Sequence, residues 1–259
     1  MSSFDLAALP ARNPEPFIAR AFWAVHNLCG LVFTLAFTSV GIVVAMLIRL
    51  VAGSPRIPLR MAARMWSPVL FAGAGATVVV EGAEKIDWST PRMIVANHQS
   101  FIDICALFRA VPVPLRFVMK QELGKVPFLG QYARAMGMVF IERDSRRRRA
   151  GSKMLRETVD LLRGGATLAV FPEGTRSRDG RVGPFKGGAF QAAIDAGVDV
   201  LPVAISGAGR VMAPDRLFRI RSGRIVVRIG APLSTVDVDR AQLAERARAA
   251  VLSMQEREA

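Results

Sequence analysis

From Ala21 to Ile48 the chain carries no charged residue. An unbroken apolar helix of that length is at home in lipid, and Leu28 to Ile48 alone spans about 30 Å, the thickness of a bilayer's hydrocarbon core. The run is read as a membrane segment. A cleaved signal peptide fits it poorly, because the apolar stretch begins late, exceeds an h-region, and follows Asp5 and Glu15 as well as arginines. The next stretch, Ile57 to Ala72, differs in kind: Arg60, Arg64 and Ser67 fall at i, i+4 and i+7, with Leu59, Met65, Trp66, Val69 and Leu70 on other faces. That pattern suits a basic amphipathic helix in the membrane interface, the plainer alternative being a helix that covers the domain core. Ser54-Pro55 supplies the turn between the two helices. Arg49, Arg56, Arg60 and Arg64 crowd the C-terminal flank of the apolar run, so the positive-inside bias places the remaining chain on the cytoplasmic face.

Charge adds a second constraint. Lys and Arg number 35 against 21 Asp and Glu, a formal net charge of +14, and 51% of residues are hydrophobic. The balance favours an anionic partner: phospholipid head groups, a phosphorylated substrate or nucleic acid. With one tyrosine the chain offers little of the aromatic interleaving that single-strand nucleic acid requires. Arg143 to Arg149 reads instead as a solvated loop or a contact with anionic lipid. Cys29 and Cys105 lie in apolar settings without metal spacing, which suits a reducing compartment, and Cys105 reads as a buried structural thiol, not an acyl-enzyme nucleophile. His26 marks the water interface of the apolar run.

Beyond Thr77 the pattern becomes that of an α/β domain. Short β-branched or apolar runs recur at Thr77–Val80, Met93–Ala96, Phe117–Met119, Met138–Ile141, Thr167–Phe171, Val200–Ile205 and Ile225–Ile229. Helical patterns lie between them, the clearest over Gly151–Arg163, another over Phe185–Ala196 and ended by Gly197. The expected fold is a mixed, largely parallel sheet flanked by helices, with an N-terminal membrane-binding helical segment. Residues 1–75 are assigned to membrane-associated helices and 76–259 to the α/β domain, since no repeat or linker divides the latter.

Two strand exits carry chemistry. Asn97-His98-Gln99-Ser100 follows the strand Met93–Ala96, at the carboxyl end where open α/β sheets place their ligands. Five residues along one helix leave side chains about 140° apart, but a histidine just before a helix can fold back onto an aspartate in its first turn. His98 and Asp103 then fit a general base and its orienting carboxylate, with no serine or cysteine nucleophile needed if the substrate brings its own hydroxyl. A plainer reading makes Ser100 an N-cap with Asp103 at N3, a capping-box variant that leaves Asn97-His98 unexplained. At the second exit, Phe171-Pro172-Glu173-Gly174-Thr175-Arg176-Ser177 follows a strand, with Gly174 permitting close backbone approach and Arg176 offering a planar charged fork. Lys120 and Arg143 follow two further strands. Three cations at three strand ends fit one dianionic group, although surface ion pairing is the ordinary fate of each alone.

These blocks, in this order, resemble the glycerophospholipid acyltransferases, the 1-acyl-glycerol-3-phosphate acyltransferases that make phosphatidic acid. N-H-x4-D is complete from Asn97 to Asp103, G-x-x-F-I-x-R runs from Gly137 to Arg143, and F-P-E-G-T-R-S from Phe171 to Ser177. Val200-Leu201-Pro202-Val203 matches a fourth, short element, and Lys120 to Gly130 resembles the family's K-x-E-L-x-x-V-P-x-x-G. Phe185-Lys186-Gly187-Gly188 departs slightly, with glycine where relatives often carry a second lysine. The resemblance implies a membrane lysophospholipid acceptor, a thioester donor on coenzyme A or acyl carrier protein as co-substrate, and neither a cofactor nor a metal nor a nucleic acid partner. It implies His98 and Asp103 as catalytic, and Asn97, Lys120, Arg143, Glu173, Gly174, Thr175 and Arg176 as the substrate-binding set, with Asn97 positioning the first block and Glu173 and Gly174 shaping the third. The same blocks would serve another lyso-lipid such as a lyso-ornithine lipid. A non-catalytic, basic membrane-anchored binding protein accounts for the charge and the apolar run but not for the ordered blocks.

Overall fold

The computed structural model describes residues 17–141, 148–214 and 220–256. Its first element, α1 (Phe17–Ala52), is one continuous helix. Within it Ala24–Ala52 has a mean hydropathy of 2.5 over its most apolar window and is almost wholly unburied, so the chain has a helix long and apolar enough to cross a membrane. Leu28, Leu35 and Val40 each leave about 60% of their surface uncovered, a face that water does not stabilise.

The amphipathic stretch forms a helical segment in three parts: α2 (Arg56–Met61), a π-turn over Ala62–Trp66, and α3 (Ser67–Gly73). One face of the segment is buried and the other exposed. Leu59, Ala62 and Phe71 are buried, while Ile57, Arg60, Arg64 and Met65 face outward. Ala62 and Phe71 belong to the main hydrophobic core, and Ser67 donates a buried hydrogen bond of 2.8 Å to the Cys105 carbonyl. The segment also ties back to α1, through the Trp66 indole N–H donating to Thr38 Oγ1 at 2.9 Å.

The seven strands are β1 (Ala76–Glu81), β2 (Met93–Ala96), β3 (Leu115–Lys120), β4 (Val139–Ile141), β5 (Thr167–Val170), β6 (Val200–Ser206) and β7 (Gly223–Ile229). They form one sheet in the order β1-β7-β6-β2-β5-β3-β4, parallel throughout except for the β6/β7 pair. All seven expected runs are strands, and the mixed, mostly parallel sheet is borne out. The fully buried patterns of β2, β5 and β6 explain why these segments read as continuous apolar runs without alternation. The antiparallel reversal was not legible, because β6 leads into the short helix α8 (Ala208–Val211), which carries no sequence signal for the direction of the next strand.

The remaining helices are α4 (Ile102–Ala110), α5 (Leu129–Ala135), α6 (Arg148–Arg163), α7 (Gly188–Ala196) and α9 (Arg240–Glu256). Helix α7 begins at Gly188, three residues later than expected. Phe185 and Lys186 remain in the loop, where the Lys186 N–H bonds the Pro172 carbonyl at 3.0 Å. Clusters on the two faces of the sheet make the core, one around Ile94, Leu107 and Ile205, the other around Val95, Leu168 and Phe190.

Because α2 and α3 supply core side chains and α1 does not supply the same share, the two segments respond differently to truncation. Deleting residues 1–52 is expected to leave a cooperatively melting domain. Deleting 1–75 also removes Leu59 and Phe71, worth about 2–5 kcal/mol each, and is expected to abolish the cooperative transition; thermal melts of both truncations in mild detergent check this.

Candidate active site

Strands β2, β5, β3 and β4 are neighbours and all parallel, so their carboxyl ends share one edge of the sheet. His98 leaves β2 there, the Glu173–Arg176 turn leaves β5, and Lys120 ends β3. The topology thus brings His98, Glu173, Gly174, Thr175, Arg176 and Lys120 to one edge. Arg143 lies outside the described residues.

At the end of β2 the buried Asn97 side chain takes over the work of the ladder. Its amide nitrogen donates to the Ile205 carbonyl at 2.8 Å, and its oxygen accepts the Ile205 N–H at 2.7 Å. Both ends of the amide are thereby consumed, so Asn97, expected among the substrate-binding residues, acts in this structure as a strap joining the first block to β6. The chain then turns into α4, whose first residue is Ile102 with Phe101 at the cap position. Ser100 has a different place from the expected N-cap: its hydroxyl donates to the Met212 carbonyl at 2.6 Å and accepts the Ile102 N–H at 3.3 Å.

Asp103 has no solvent exposure, and its Oδ2 accepts three N–H groups: the His98 ring Nδ1 at 2.8 Å, and the backbone of Gln99 and Ser100, each at 2.7 Å. The His98–Asp103 pairing and the capping of the helix start are therefore one interaction. With Nδ1 donating to Asp103, the His98 Nε2 carries a lone pair, and the ring keeps 15% exposure through which a substrate hydroxyl can approach. The rest of His98 is held as firmly. Phe171 stacks on the ring with centroids 4.0 Å apart and planes 12° apart; the His98 N–H donates to Glu173 Oε1 at 2.8 Å; and its carbonyl accepts the Ser177 N–H at 2.7 Å.

Glu173 links three segments, because its second oxygen, Oε2, accepts the Gly183 N–H at 2.9 Å. Burial lifts its carboxyl above the ordinary range, and the N–H groups of Gly183 and His98 pull it partly back. Arg248 of α9 fixes the far side of this loop, donating to the carbonyls of Gly183 at 3.0 Å and Val182 at 3.2 Å. Neither contact has a local sequence signal, since α9 is distant in the chain.

Arg176 lies with its guanidinium carbon 4.0 Å above the Phe101 ring centroid. Its Nη1 is buried and has no hydrogen-bond partner among the described residues. A buried guanidinium nitrogen left unpaired is costly, and an anionic ligand would satisfy it. Lys186 was not singled out as a site residue, yet its ammonium occupies the space over Gly174: a Cβ there would come 2.7 Å from Nζ. Gly174 also has φ +77, so the turn requires glycine twice over. Thr175 and Lys120 are exposed beside this loop. Cys105, two residues after Asp103 in α4, is buried, and burial with the added charge of Asp103 pushes its thiol up to about 12, which disfavours a thiolate nucleophile. No group of three or more candidate metal ligands occurs among the described residues.

A family model described as Acyltransferase matches residues 77–206, the span that holds both loops. This chain belongs to the acyltransferase family. Among the relatives of this acyltransferase, a chloroplast 1-acyl-sn-glycerol-3-phosphate acyltransferase of Arabidopsis thaliana is 37% identical over 155 residues, covering 60% of this chain and 43% of that protein. A 1-acyl-sn-glycerol-3-phosphate acyltransferase of Saccharomyces cerevisiae is 31% identical over 207 residues, 79% of this chain and 67% of that protein. The chain thus spans less than half the length of the plant relative. The crystal structure of the 1-acyl-sn-glycerophosphate acyltransferase PlsC from Thermotoga maritima superposes with a TM-score of 0.76 at 29% identity, over 93% of this chain and 97% of that one. The family read from the ordered blocks is borne out.

The two Glu173 bonds yield a test. Glu173→Gln places an amide NH2 against one of two backbone N–H groups, and a buried donor left unpaired costs about 1–3 kcal/mol. The folded-state pKa of Glu173 is the raised one, so its contribution to stability is full below the unfolded value and is lost as pH rises through the folded value. The stability difference between wild type and Glu173→Gln is therefore expected to widen as pH falls through the window just above ordinary carboxyl values; denaturant titrations across that range read it, and a narrowing difference contradicts it.

Proposed function

We propose that this acyltransferase moves an acyl chain from a thioester of coenzyme A or acyl carrier protein to the free hydroxyl of 1-acylglycerol-3-phosphate, giving phosphatidic acid. The observation that carries the proposal is the pairing, on one sheet edge, of a histidine whose Nδ1 is engaged by Asp103 at 2.8 Å with an arginine whose buried Nη1 lacks a partner among the described residues. The first supplies a positioned base and the second a site for an acceptor's phosphate. The names of the plant and yeast relatives and of the Thermotoga protein support the same acceptor.

In this scheme His98 Nε2 takes the proton of the acceptor hydroxyl as its oxygen attacks the thioester carbonyl. The C–S bond then breaks and the departing thiolate receives that proton, so the base is regenerated and the products are an ester and a free thiol. Asp103 keeps the ring in the required tautomer and stabilises the imidazolium between the two steps. Phe171, lying flat on the ring, limits its rotation about χ2. Arg176, Lys186 and Lys120 supply the cationic surround for the phosphate, with Arg143 as a further member of the set. Helix α1 anchors the domain to a membrane, and the basic flank Arg49 to Arg64 favours the cytoplasmic face, where a soluble donor arrives.

His98→Ala is expected to abolish thiol release from acyl-CoA in the presence of lysophosphatidic acid, and Asp103→Asn to lower turnover by about 10²- to 10⁴-fold with the fold retained. Near-normal turnover in a folded His98→Ala preparation excludes the mechanism. Arg176→Ala is expected to raise the apparent KM for the acceptor while leaving that for the donor unchanged, with Arg176→Lys recovering part of the loss because it keeps the charge without the bidentate fork. Steady-state kinetics with each substrate varied in turn check this, and an acceptor screen that includes a phosphate-free lyso-ornithine lipid tests the assignment of the phosphate.

A further inference from the structure

The sheet has a second end, and a cavity opens there. Strand β7 is antiparallel to β6 and β1 is parallel to β7, so β1 runs against β2 and its carboxyl end lies away from His98. The cavity, about 560 Å³, is floored by Val78 and Val80 of β1 together with Trp88 and Phe108, and rimmed by Arg60, Arg64 and Arg109. Its volume is within the usual range for small-ligand sites. Arg109 stands at the last turn of α4 and Asp103 at its first, so the α4 helix itself separates this site from the base by roughly 9 Å along its axis.

Three features define the occupant. The first is charge: the three arginines are exposed, and none has an ion pair or a side-chain hydrogen bond among the described residues, while the single acid of the lining, Glu84, leaves the rim with a net positive charge. Guanidinium groups lining one opening suit a phosphate group. The second is the apolar floor, which a purely soluble anion would leave unused. The third is location. Arg60 and Arg64 belong to the segment that directly follows α1, and on that same segment Ile57 and Met65 are 53% and 56% exposed. Apolar side chains alternating with arginines beside a helix of membrane-spanning length place the rim at the level of lipid head groups.

We infer that this cavity binds the head-group phosphate and adjoining chain of an anionic phospholipid that is not a substrate, and so orients the domain on the membrane. Binding here is independent of acyl transfer. It can fail while the proposed reaction stands, and the reverse.

The test uses the full chain in a neutral sugar detergent, with dioleoylphosphatidylglycerol and dioleoylphosphatidylcholine as probes and lipid retained per chain read by native mass spectrometry. Phosphatidylglycerol is expected to be retained at one molecule per chain and phosphatidylcholine not to be. Arg60→Gln, Arg64→Gln and Arg109→Gln combined are expected to lower the apparent affinity for phosphatidylglycerol at least tenfold with an unchanged melting temperature. Ala63→Phe, which fills the cavity and keeps all three charges, is expected to do the same. Arg176→Ala, at the other end of the sheet, is expected to retain the lipid. Unchanged binding in the triple variant and in Ala63→Phe overturns the inference, as does loss of binding in Arg176→Ala. Saturation by inorganic phosphate at the concentration that phosphatidylglycerol requires overturns it too, since the floor would then contribute nothing.

Discussion

One buried carboxylate oxygen organises the edge of the sheet at which β2, β5 and β3 end. Asp103 Oδ2 accepts the His98 ring and the backbone N–H groups of Gln99 and Ser100 together. The two backbone bonds fold the loop into the start of α4, where donors lack intrahelical partners and a negative charge is favoured by the helix dipole. The third bond then holds the imidazole in the only arrangement that this loop shape allows. The shape of this loop and the orientation of the His98 ring therefore share one anchor, and losing the carboxylate charge there loosens the loop locally while the domain keeps its fold.

The sheet extends that local order to the whole edge. Asn97 closes the ladder to β6, Glu173 bridges the His98 and Gly183 backbones, and Arg248 holds the loop from α9. A run of ring contacts also links the N-terminal helices to the His98 ring. Trp66, bonded to Thr38 of α1, meets Phe108 edge-on at 6.0 Å; Phe108 meets Phe117 at 5.1 Å; Phe117 meets Phe171 at 6.3 Å; and Phe171 stacks on His98. Contiguous aromatic packing of this kind resists compression, so the base is positioned relative to α1 through a dense core and not through flexible loops.

Much of this was legible because the chemistry is local in the chain. The five-residue spacing of His98 and Asp103 only makes sense across a loop-to-helix junction, and the strand runs identify which loops lie at carboxyl ends. What escaped were contacts between distant segments. Nothing near Asn97 announces that Ile205 will take both ends of its amide, and nothing near Gly183 announces Arg248. Lys186 was noticed only as part of a motif with a departure, since its position over Gly174 depends on how the loop folds back. The π-turn at Ala62–Trp66 brings both Ala62 and Trp66 against the same core cluster, a tertiary contact that helical periodicity does not encode.

The central claim is that Asp103 holds the Nδ1 proton of His98 and leaves Nε2 free. The chain has only two histidines, so ¹⁵N-histidine labelling of the full protein gives two sets of ring signals, and substitution of His26 assigns those of His98. At neutral pH the Nδ1-protonated tautomer is predicted, with Nε2 at the shift of an unprotonated nitrogen and the Nδ1–H signal lost in Asp103→Asn. A His98 ring protonated at Nε2 and bare at Nδ1 contradicts the account.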